Sequence, residues 1–347
     1  MRKHKLVVLI GRFQPLHRAH VEIIRRALEL GERVVILVGS SLLPRTYKNP
    51  WSFDERRTMI LNEINELGLD TYRLSVESLV DMNDDQAWAA QVQKIVSLKH
   101  AVGNERGKAV RDIAVIGHNK DESTYYLNMF PQWDLIDIEP IEPLNATDIR
   151  EIYFKPNVNM SYLTTVLPKS TQRFLSAFAG TDDFNQVVRE RQHIEQYKLQ
   201  YKHLPYEPIF VTVDNVIFQS GHVLMVKRRS EPGKGLWALP GGFVNAGTDR
   251  SLEDAALREL KEETGIKVPV PVLRGSIKGS KVFDKMDRSA RGRTITHAFH
   301  MVLPDGELPK VKGMDDAEVA QWVPIAAVQR QECFEDHYLI IQHFLGE

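Results

Sequence analysis

Residues 240–266 read PGGFVNAGTDRSLEDAALRELKEETGI. The stretch opens on a Pro240-Gly241-Gly242 turn and closes on a helical run from Arg258 to Ile266. On a helix Glu259, Glu262 and Glu263 stand at i, i+3 and i+4 and share one face. Like charges so placed repel one another unless something positive sits among them. Hard divalent cations take oxygen ligands and pair naturally with phosphates. The segment therefore reads as a carboxylate site for a metal that works on a phosphate ester. The plainer reading is an amphipathic helix, with Ala256, Leu257 and Leu260 inward and an acidic solvated face.

Outward from this stretch the pattern is mixed α+β. Residues 209–218, 223–227, 267–273 and 297–303 carry strand signals, and 251–264 and 336–345 carry helical ones. Upstream, 184–204 is polar with helical spacing, and Pro205 and Pro208 punctuate its end, which places a domain boundary near residue 205. The first half of the chain alternates strand and helix. Apolar runs at 6–10, 34–38, 74–79, 113–116 and 135–138 are interleaved with helical periodicity at 20–30, 53–67 and 86–98. Such alternation predicts a parallel sheet wrapped by helices, with ligands at the carboxyl ends of the strands.

The first apolar run leads directly into Gly11-Arg12-Phe13-Gln14-Pro15-Leu16-His17-Arg18-Ala19-His20. A glycine turn at a strand end, an arginine and two histidines three apart at a helix start form an anion site: helix N-terminal N–H groups, guanidinium and imidazole all suit phosphate oxygens. This string resembles the GRFQPxHxGH motif of archaeal-type nicotinamide mononucleotide (NMN) adenylyltransferases, with Ala19 in place of a glycine. The family's second motif, SSTxIR, is matched by Asn145-Ala146-Thr147-Asp148-Ile149-Arg150, which keeps Thr147 and Arg150. The segment Lys48-Asn49-Pro50-Trp51 resembles the family's NMN-phosphate loop, with lysine where relatives carry arginine. Asp85 and Trp88 match the positions that receive the nicotinamide ring, and an indole face suits a cationic pyridinium; core packing of Trp88 is the competing reading. Gly117-His118-Asn119-Lys120-Asp121 resembles the ATP-side loop. The resemblance implies adenylyl transfer from ATP to NMN, with Arg12, His17, His20, Arg150 and Mg²⁺ neutralising charge. Gly11, Phe13, Gln14, Lys48, Asn49, Trp51, Asp85, Trp88, Gly117, His118, Lys120, Asp121 and Thr147 would hold the substrates.

The C-terminal stretch resembles the Nudix box, GX5EX7REUXEEXGU. Its second half matches from Arg258 to Ile266. Its first half departs: the stretch from Gly242 to Arg258 is two residues longer than the box expects, and Arg250 stands where glutamate belongs. The resemblance implies Glu259, Glu262 and Glu263 as ligands for Mg²⁺, or alternatively Mn²⁺, Glu262 as a catalytic residue, Arg258 as an orienting group and Glu318 as a candidate general base. Taken whole, the chain resembles bifunctional NMN adenylyltransferase/Nudix hydrolases, whose second domain is associated with ADP-ribose cleavage. The expected architecture is α/β: a Rossmann-like nucleotidyltransferase domain with a parallel sheet over 1–182, a helical linker over 183–205, and an α+β Nudix domain over 206–347. The expected ligands are ATP, NMN and ADP-ribose. The altered box leaves a non-catalytic ADP-ribose sensor open as the alternative, and the first domain could also use another phosphate acceptor.

Composition narrows the classes further. The chain has 347 residues, a net charge of −1 and one cysteine, Cys333. The near-balanced charge argues against nucleic-acid binding through a broad basic surface. A single cysteine excludes an internal disulfide. No apolar run reaches membrane-spanning length and no signal-peptide pattern opens the chain, so a cytoplasmic location is expected. Oligomeric state is left open, a homo-oligomer included.

Overall fold

The computed structural model describes residues 4–82, 84–101, 112–118, 122–139, 145–155 and 160–346. The chain divides into two compact units: 1–45 with 49–188, and 46–48 with 189–347.

In the first unit the strands β1 (His4–Gly11), β2 (Gly31–Val38), β3 (Leu74–Ser78), β4 (Ile113–Gly117) and β5 (Asp134–Asp137) form a parallel sheet of order β3-β2-β1-β4-β5. Both faces of its centre are covered. Val7, Val8, Val35, Ile36 and Val115 are fully buried, which is why these strands read as unbroken apolar runs rather than alternating ones. The helices α1 (Arg18–Leu30), α2 (Phe53–Glu66) and α3 (Asp85–Ala101) connect the strands, and α4 (Ala146–Tyr153) and α5 (Lys169–Phe178) follow. A Ser52 cap and a reciprocal Glu55 side-chain bond start α2, and Asn145 with Asp148 does the same for α4. The strand order reverses between β1 and β4. In open α/β sheets a ligand crevice lies outside the carboxyl ends of the strands at such a switch point. The segments starting at Gly11 and Gly117 leave the sheet there.

The division between units falls inside α6 (Asp182–Leu199), earlier than the proline-marked boundary. In the second unit, β6 (Phe210–Gln219), β7 (His222–Arg228), β10 (Ile277–Phe283), β11 (Thr294–Val302) and β12 (Ala317–Pro324) form the path β10-β11-β6-β7-β12. The short strands β8 (Trp237–Ala238) and β9 (Gly241–Phe243) pair with β7 and β6. Only β11–β6 is parallel, so the sheet is mixed. Helix α7 (Leu252–Thr264) lays Ala255, Ala256, Leu257 and Leu260 on one side of the sheet, and α9 (His337–Leu345) lays Ile340, Ile341 and Phe344 in a separate apolar cluster.

One expected strand is replaced by a helix. The strand expected over 267–273 is replaced by α8 (Val270–Gly275). Pro269 precedes it, with a fixed φ suited to a helix start, and Leu273 is its buried contact. A short apolar run cannot distinguish one helical turn from a strand by periodicity alone. Among the described residues no helix is long and apolar enough to cross a membrane.

Candidate active sites

At the carboxyl end of β1 the backbone turns sharply. Phe13 is fully buried with φ of 51°, a left-handed conformation uncommon for a non-glycine residue. Its ring lies 4.7 Å from that of His20, and the His17 and His20 rings stack at 3.7 Å. The His17 backbone N–H points to Nδ1 of His20 at 3.4 Å. With Nδ1 accepting, the hydrogen of neutral His20 resides on Nε2 and remains available as a donor. Burial, and then the neighbouring charge of His17, hold the His20 pKa well below the usual imidazole range, so the ring is neutral at neutral pH.

Arg56, on α2, proves central. It is fully buried and donates to the carbonyls of Arg12 (2.8 Å), Gly39 (2.7 Å) and Ser40 (3.1 Å), tying the ends of β1 and β2 together. Burial, reinforced by the charge of Arg12, lowers its pKa to about 10. Two guanidinium groups close enough to disfavour each other form a site that an anion relieves. A buried arginine on a helix face is invisible to hydrophobic patterning.

Several residues expected to hold substrate also bond one another within the loop. Gln14 is buried and clasps the backbone of Trp51 from both sides, at 3.0 and 3.2 Å, while also bonding the side chain of Asn49. Asn49 is buried as well and reaches the carbonyls of Leu43 and Pro44. Trp51 is wholly enclosed by Tyr153, Phe154 and Phe178. Burial of the ring and pairing of the amides hold the loop in this conformation. Arg150 is also buried; it donates to the Gln14 carbonyl at 2.7 Å and to Oγ1 of Thr147 at 3.1 Å, so it fixes the loop that carries Arg12. Lys48 falls in the second unit, where its ammonium pairs with Asp287 at 2.6 Å. Trp88 is half-buried against Tyr126 and Phe130, in keeping with its core reading, and the exposed Asp85 accepts a hydrogen bond from Tyr125 at 3.0 Å. Gly117 ends β4 where an added Cβ would meet Leu127 at 3.0 Å, and Nδ1 of the following His118 lies 2.7 Å from the Ile138 carbonyl. Lys120 and Asp121 lie outside the described residues.

In the second unit Ser251 caps α7, and the helix ends at left-handed Gly265. Arg258 is the hub of its acidic face. One guanidinium nitrogen donates to both Glu259 and Glu262 at 2.8 Å, and the rest of the fork grips Asp249 at 2.8 and 2.7 Å. This pairing lowers the Asp249 pKa to about 2. Asp249 thus supplies a carboxylate one position before Arg250, where the box lacks its glutamate. The two-residue insertion concealed this, since the spacing count lands beside the acid rather than on it. Gly241 is required by close approach: a Cβ there would lie 2.1 Å from the Val213 carbonyl oxygen, while Gly242 lies against the Glu259 carboxylate. Glu263 accepts the Gly241 N–H at 2.9 Å. Burial raises the Glu263 pKa to about 8 against that hydrogen bond, with the Glu259 charge adding to the rise; Glu259 is likewise raised, chiefly by burial.

Among the described residues no three acidic, imidazole or thiolate groups form a ready-made cation cage. The set expected from Glu259, Glu262 and Glu263 is therefore not closed in this conformation, because Arg258 holds two of the acids and Gly241 the third. The donor chemistry still fits a hard divalent cation: these are oxygen ligands, and the two buried acids sit in an environment that disfavours their charged forms until a positive ion joins them. Glu318, the expected general base, is exposed on β12.

Beneath the Gly241 turn lies a buried imidazole. The Leu239 N–H donates to Nδ1 of His337 at 2.8 Å, and Nε2 faces Asp214 at 3.9 Å. Burial pushes the His337 pKa down from 6.5 to about 3. Between those values the unfolded chain binds a proton that the folded chain refuses, so this group's stability contribution is full above 6.5 and is lost as pH falls. Replacing His337 by asparagine keeps an acceptor and removes the titration. From pH 7 to pH 5 the wild type is expected to lose about 2 kcal/mol more than the variant, read by denaturant-dependent hydrogen exchange of second-unit peptides. Equal losses would exclude His337 as the source.

Comparisons with known proteins agree with this two-part geometry. A cytidylyltransferase-like family model matches residues 8–152 and a NUDIX domain model matches 208–344. A nicotinamide/nicotinic acid mononucleotide adenylyltransferase of Acinetobacter baylyi is 35% identical over 191 residues, spanning 55% of this chain and 95% of the relative. An ADP-ribose pyrophosphatase of Methanocaldococcus jannaschii is 33% identical over 162 residues, spanning 47% of this chain and 85% of the relative. A crystal structure of a bifunctional NMN adenylyltransferase/ADP ribose pyrophosphatase from Francisella tularensis, in complex with AMP and a manganese ion, covers 99% of both chains at 34% identity with a TM-score of 0.89. The chain belongs to the bifunctional NMN adenylyltransferase/ADP-ribose pyrophosphatase family. Membership in that family explains why two phosphate-directed sites of opposite charge logic occur in one polypeptide. The adenylyltransferase-like unit gathers cations at a sheet edge, and the Nudix unit gathers carboxylates around one arginine.

Proposed function

We propose that the chain catalyses two reactions of NAD metabolism. In the first, a phosphate oxygen of NMN attacks the α-phosphorus of ATP, the bond to the β-phosphate bridge breaks, and NAD and pyrophosphate leave. No protein nucleophile is needed. The work is to hold two anions in line and to neutralise the departing charge. Arg12, with His17 and the Nε2–H of His20, performs this at the end of β1; Arg56 and Arg150 hold the loop in place. In the second reaction water attacks the diphosphate of ADP-ribose and gives AMP and ribose 5-phosphate. Glu259, Glu262 and Glu263 would hold Mg²⁺ or Mn²⁺, which supplies Lewis acidity at the diphosphate. Arg258 and Asp249 set the direction of the acidic face.

The observation that carries the hydrolase reading, over a sensor that binds without cutting, is the pairing of Asp249 with Arg258. It restores an acid–arginine brace to the first half of the box, so the altered spacing does not disarm the helix. The test is to assay purified protein with Mg²⁺ or Mn²⁺ for NAD formation from NMN and ATP, and separately for AMP release from ADP-ribose. Both activities are expected. ADP-ribose binding without AMP release would establish the sensor instead.

A further inference from the structure

The turn that opens the carboxylate segment is held from beneath by a residue outside both motifs. Asn215 lies in the middle of β6 and is fully buried. Its backbone N–H donates to the Pro240 carbonyl at 2.8 Å. Its side-chain Nδ2 donates to the same carbonyl at 3.0 Å and to the Ala256 carbonyl of α7 at 2.9 Å. One amide thus ties the strand, the turn and the helix together.

The surroundings of Asn215 argue against a purely structural use. Strand residues two apart share a face. On this face Val213 and Ile217 flank Asn215 and join Ala256, Leu257 and Leu260 in one apolar cluster. An apolar side chain would suit that setting. Asparagine instead leaves its Oδ1 buried and, among the described residues, without a hydrogen-bond partner. A buried acceptor in that state is destabilising, so its presence calls for a reason beyond packing.

The reason lies at the other end of one peptide plane. The Pro240–Gly241 peptide is planar, so its carbonyl and its N–H move as one body. Asn215 fixes the carbonyl end, and the N–H end donates to Oε2 of Glu263 at 2.9 Å. The Leu239 N–H just before it is held separately, by His337.

We infer that Asn215 is a positioning residue for the hydrolase site. Acting through the Pro240–Gly241 peptide and the Ala256 carbonyl, it sets where the Glu263 carboxylate stands between the turn and α7. The inference rests on the hydrolase reading and extends its carboxylate set inward by one layer. A carboxylate whose own hydrogen-bond partner is fixed meets a cation with less rearrangement. Without the amide, the Pro240 carbonyl keeps only its strand N–H, and the peptide tilts about that single bond.

The test uses the full chain with Asn215→Leu and Asn215→Val, which delete the amide and suit the apolar face. Mn²⁺ binding is titrated by electron paramagnetic resonance without substrate, with Glu262→Gln identifying the share due to α7. Exchange of the Gly241 and Leu239 amides is followed by NMR in metal-free protein. Removing a group that orients a metal ligand lowers metal affinity or activity by about 10–100-fold. Each variant should weaken Mn²⁺ binding by about that factor, and the Mn²⁺ concentration for half-maximal AMP release should rise with it. The Gly241 amide should exchange faster while the Leu239 amide keeps its wild-type rate. Equal acceleration of both amides would indicate general loosening and reject the positioning role. Wild-type Mn²⁺ affinity in a folded variant would reject it as well. Should the leucine variant fail to fold, the smaller valine variant decides by the same readings; failure of both would make Asn215 a folding residue and overturn the inference. Absence of AMP release from the wild type would remove the hydrolase reading, and the Mn²⁺ titration and Gly241 exchange would still decide the role of Asn215.

Discussion

Replacing Arg12 by alanine is expected to lower NAD synthesis by about 10²–10³-fold and to leave AMP release from ADP-ribose at the wild-type level. The argument begins with the turn. Arg12 sits between Gly11, the last residue of β1, and Phe13, which is locked at positive φ by burial of its ring. Its backbone carbonyl is held by Arg56 and its loop by Arg150, through the neighbouring Gln14 carbonyl. Those bonds use the main chain and survive truncation of the Arg12 side chain. What is lost is a guanidinium beside another cation at the switch point of the sheet. Its interaction with a bound polyphosphate grows with the charge that develops on the leaving pyrophosphate. Energy realised at that stage lowers the barrier rather than only the KM. The expected kinetic pattern is a fall in kcat larger than the rise in KM for ATP, measured by coupled detection of NAD. A change confined to KM would reduce Arg12 to a ground-state binding group, and wild-type synthesis in a folded variant would remove it from the site.

The architecture of both units was legible because each carries a periodicity that physics enforces. Unbroken apolar runs in the first half signal strands covered on two faces, and the observed sheet covers Val7, Val35 and Val115 on both. The phosphate-directed segments were legible for a different reason: arginine, histidine and glutamate in fixed spacing have few structural uses. What escaped the sequence were partnerships between distant residues. Gln14 and Asn49 have the chemistry of ligands, and only the fold shows that their amides bond each other and that Gln14 also holds the Trp51 backbone. Arg56 was overlooked for the converse reason, since a charged residue on a helix is ordinarily placed in solvent. The brace from Asp249 to Arg258 lay hidden behind an insertion, because counting positions assumes a loop of constant length. The short α8 helix shows the limit of periodicity itself, where one turn offers too few residues to define a face.

Glu262→Gln is expected to lower AMP release from ADP-ribose by about 10²–10³-fold while NAD synthesis persists. Of the three expected metal ligands on α7, Glu262 is the one whose replacement reports most cleanly. Glu263 is buried and anchors the Gly241 turn, and Glu259 packs against Gly242, so changes at either would disturb the backbone as well as the charge. Glu262 is about half exposed, with 46% side-chain accessibility, and its bond in this conformation goes to Arg258, which retains Asp249 and Glu259 as partners when Glu262 is neutralised. The amide preserves shape and removes one negative oxygen ligand. A hard cation loses affinity for the site, and the activation it provides at the diphosphate falls with it. Two readouts separate that effect from misfolding. The Mg²⁺ or Mn²⁺ concentration for half-maximal hydrolysis should rise in the variant, and NAD synthesis in the same preparation should match wild type. Hydrolysis that falls with no change in metal dependence would assign Glu262 a role apart from the metal. Undiminished hydrolysis would show that Glu259 and Glu263 hold the cation without it.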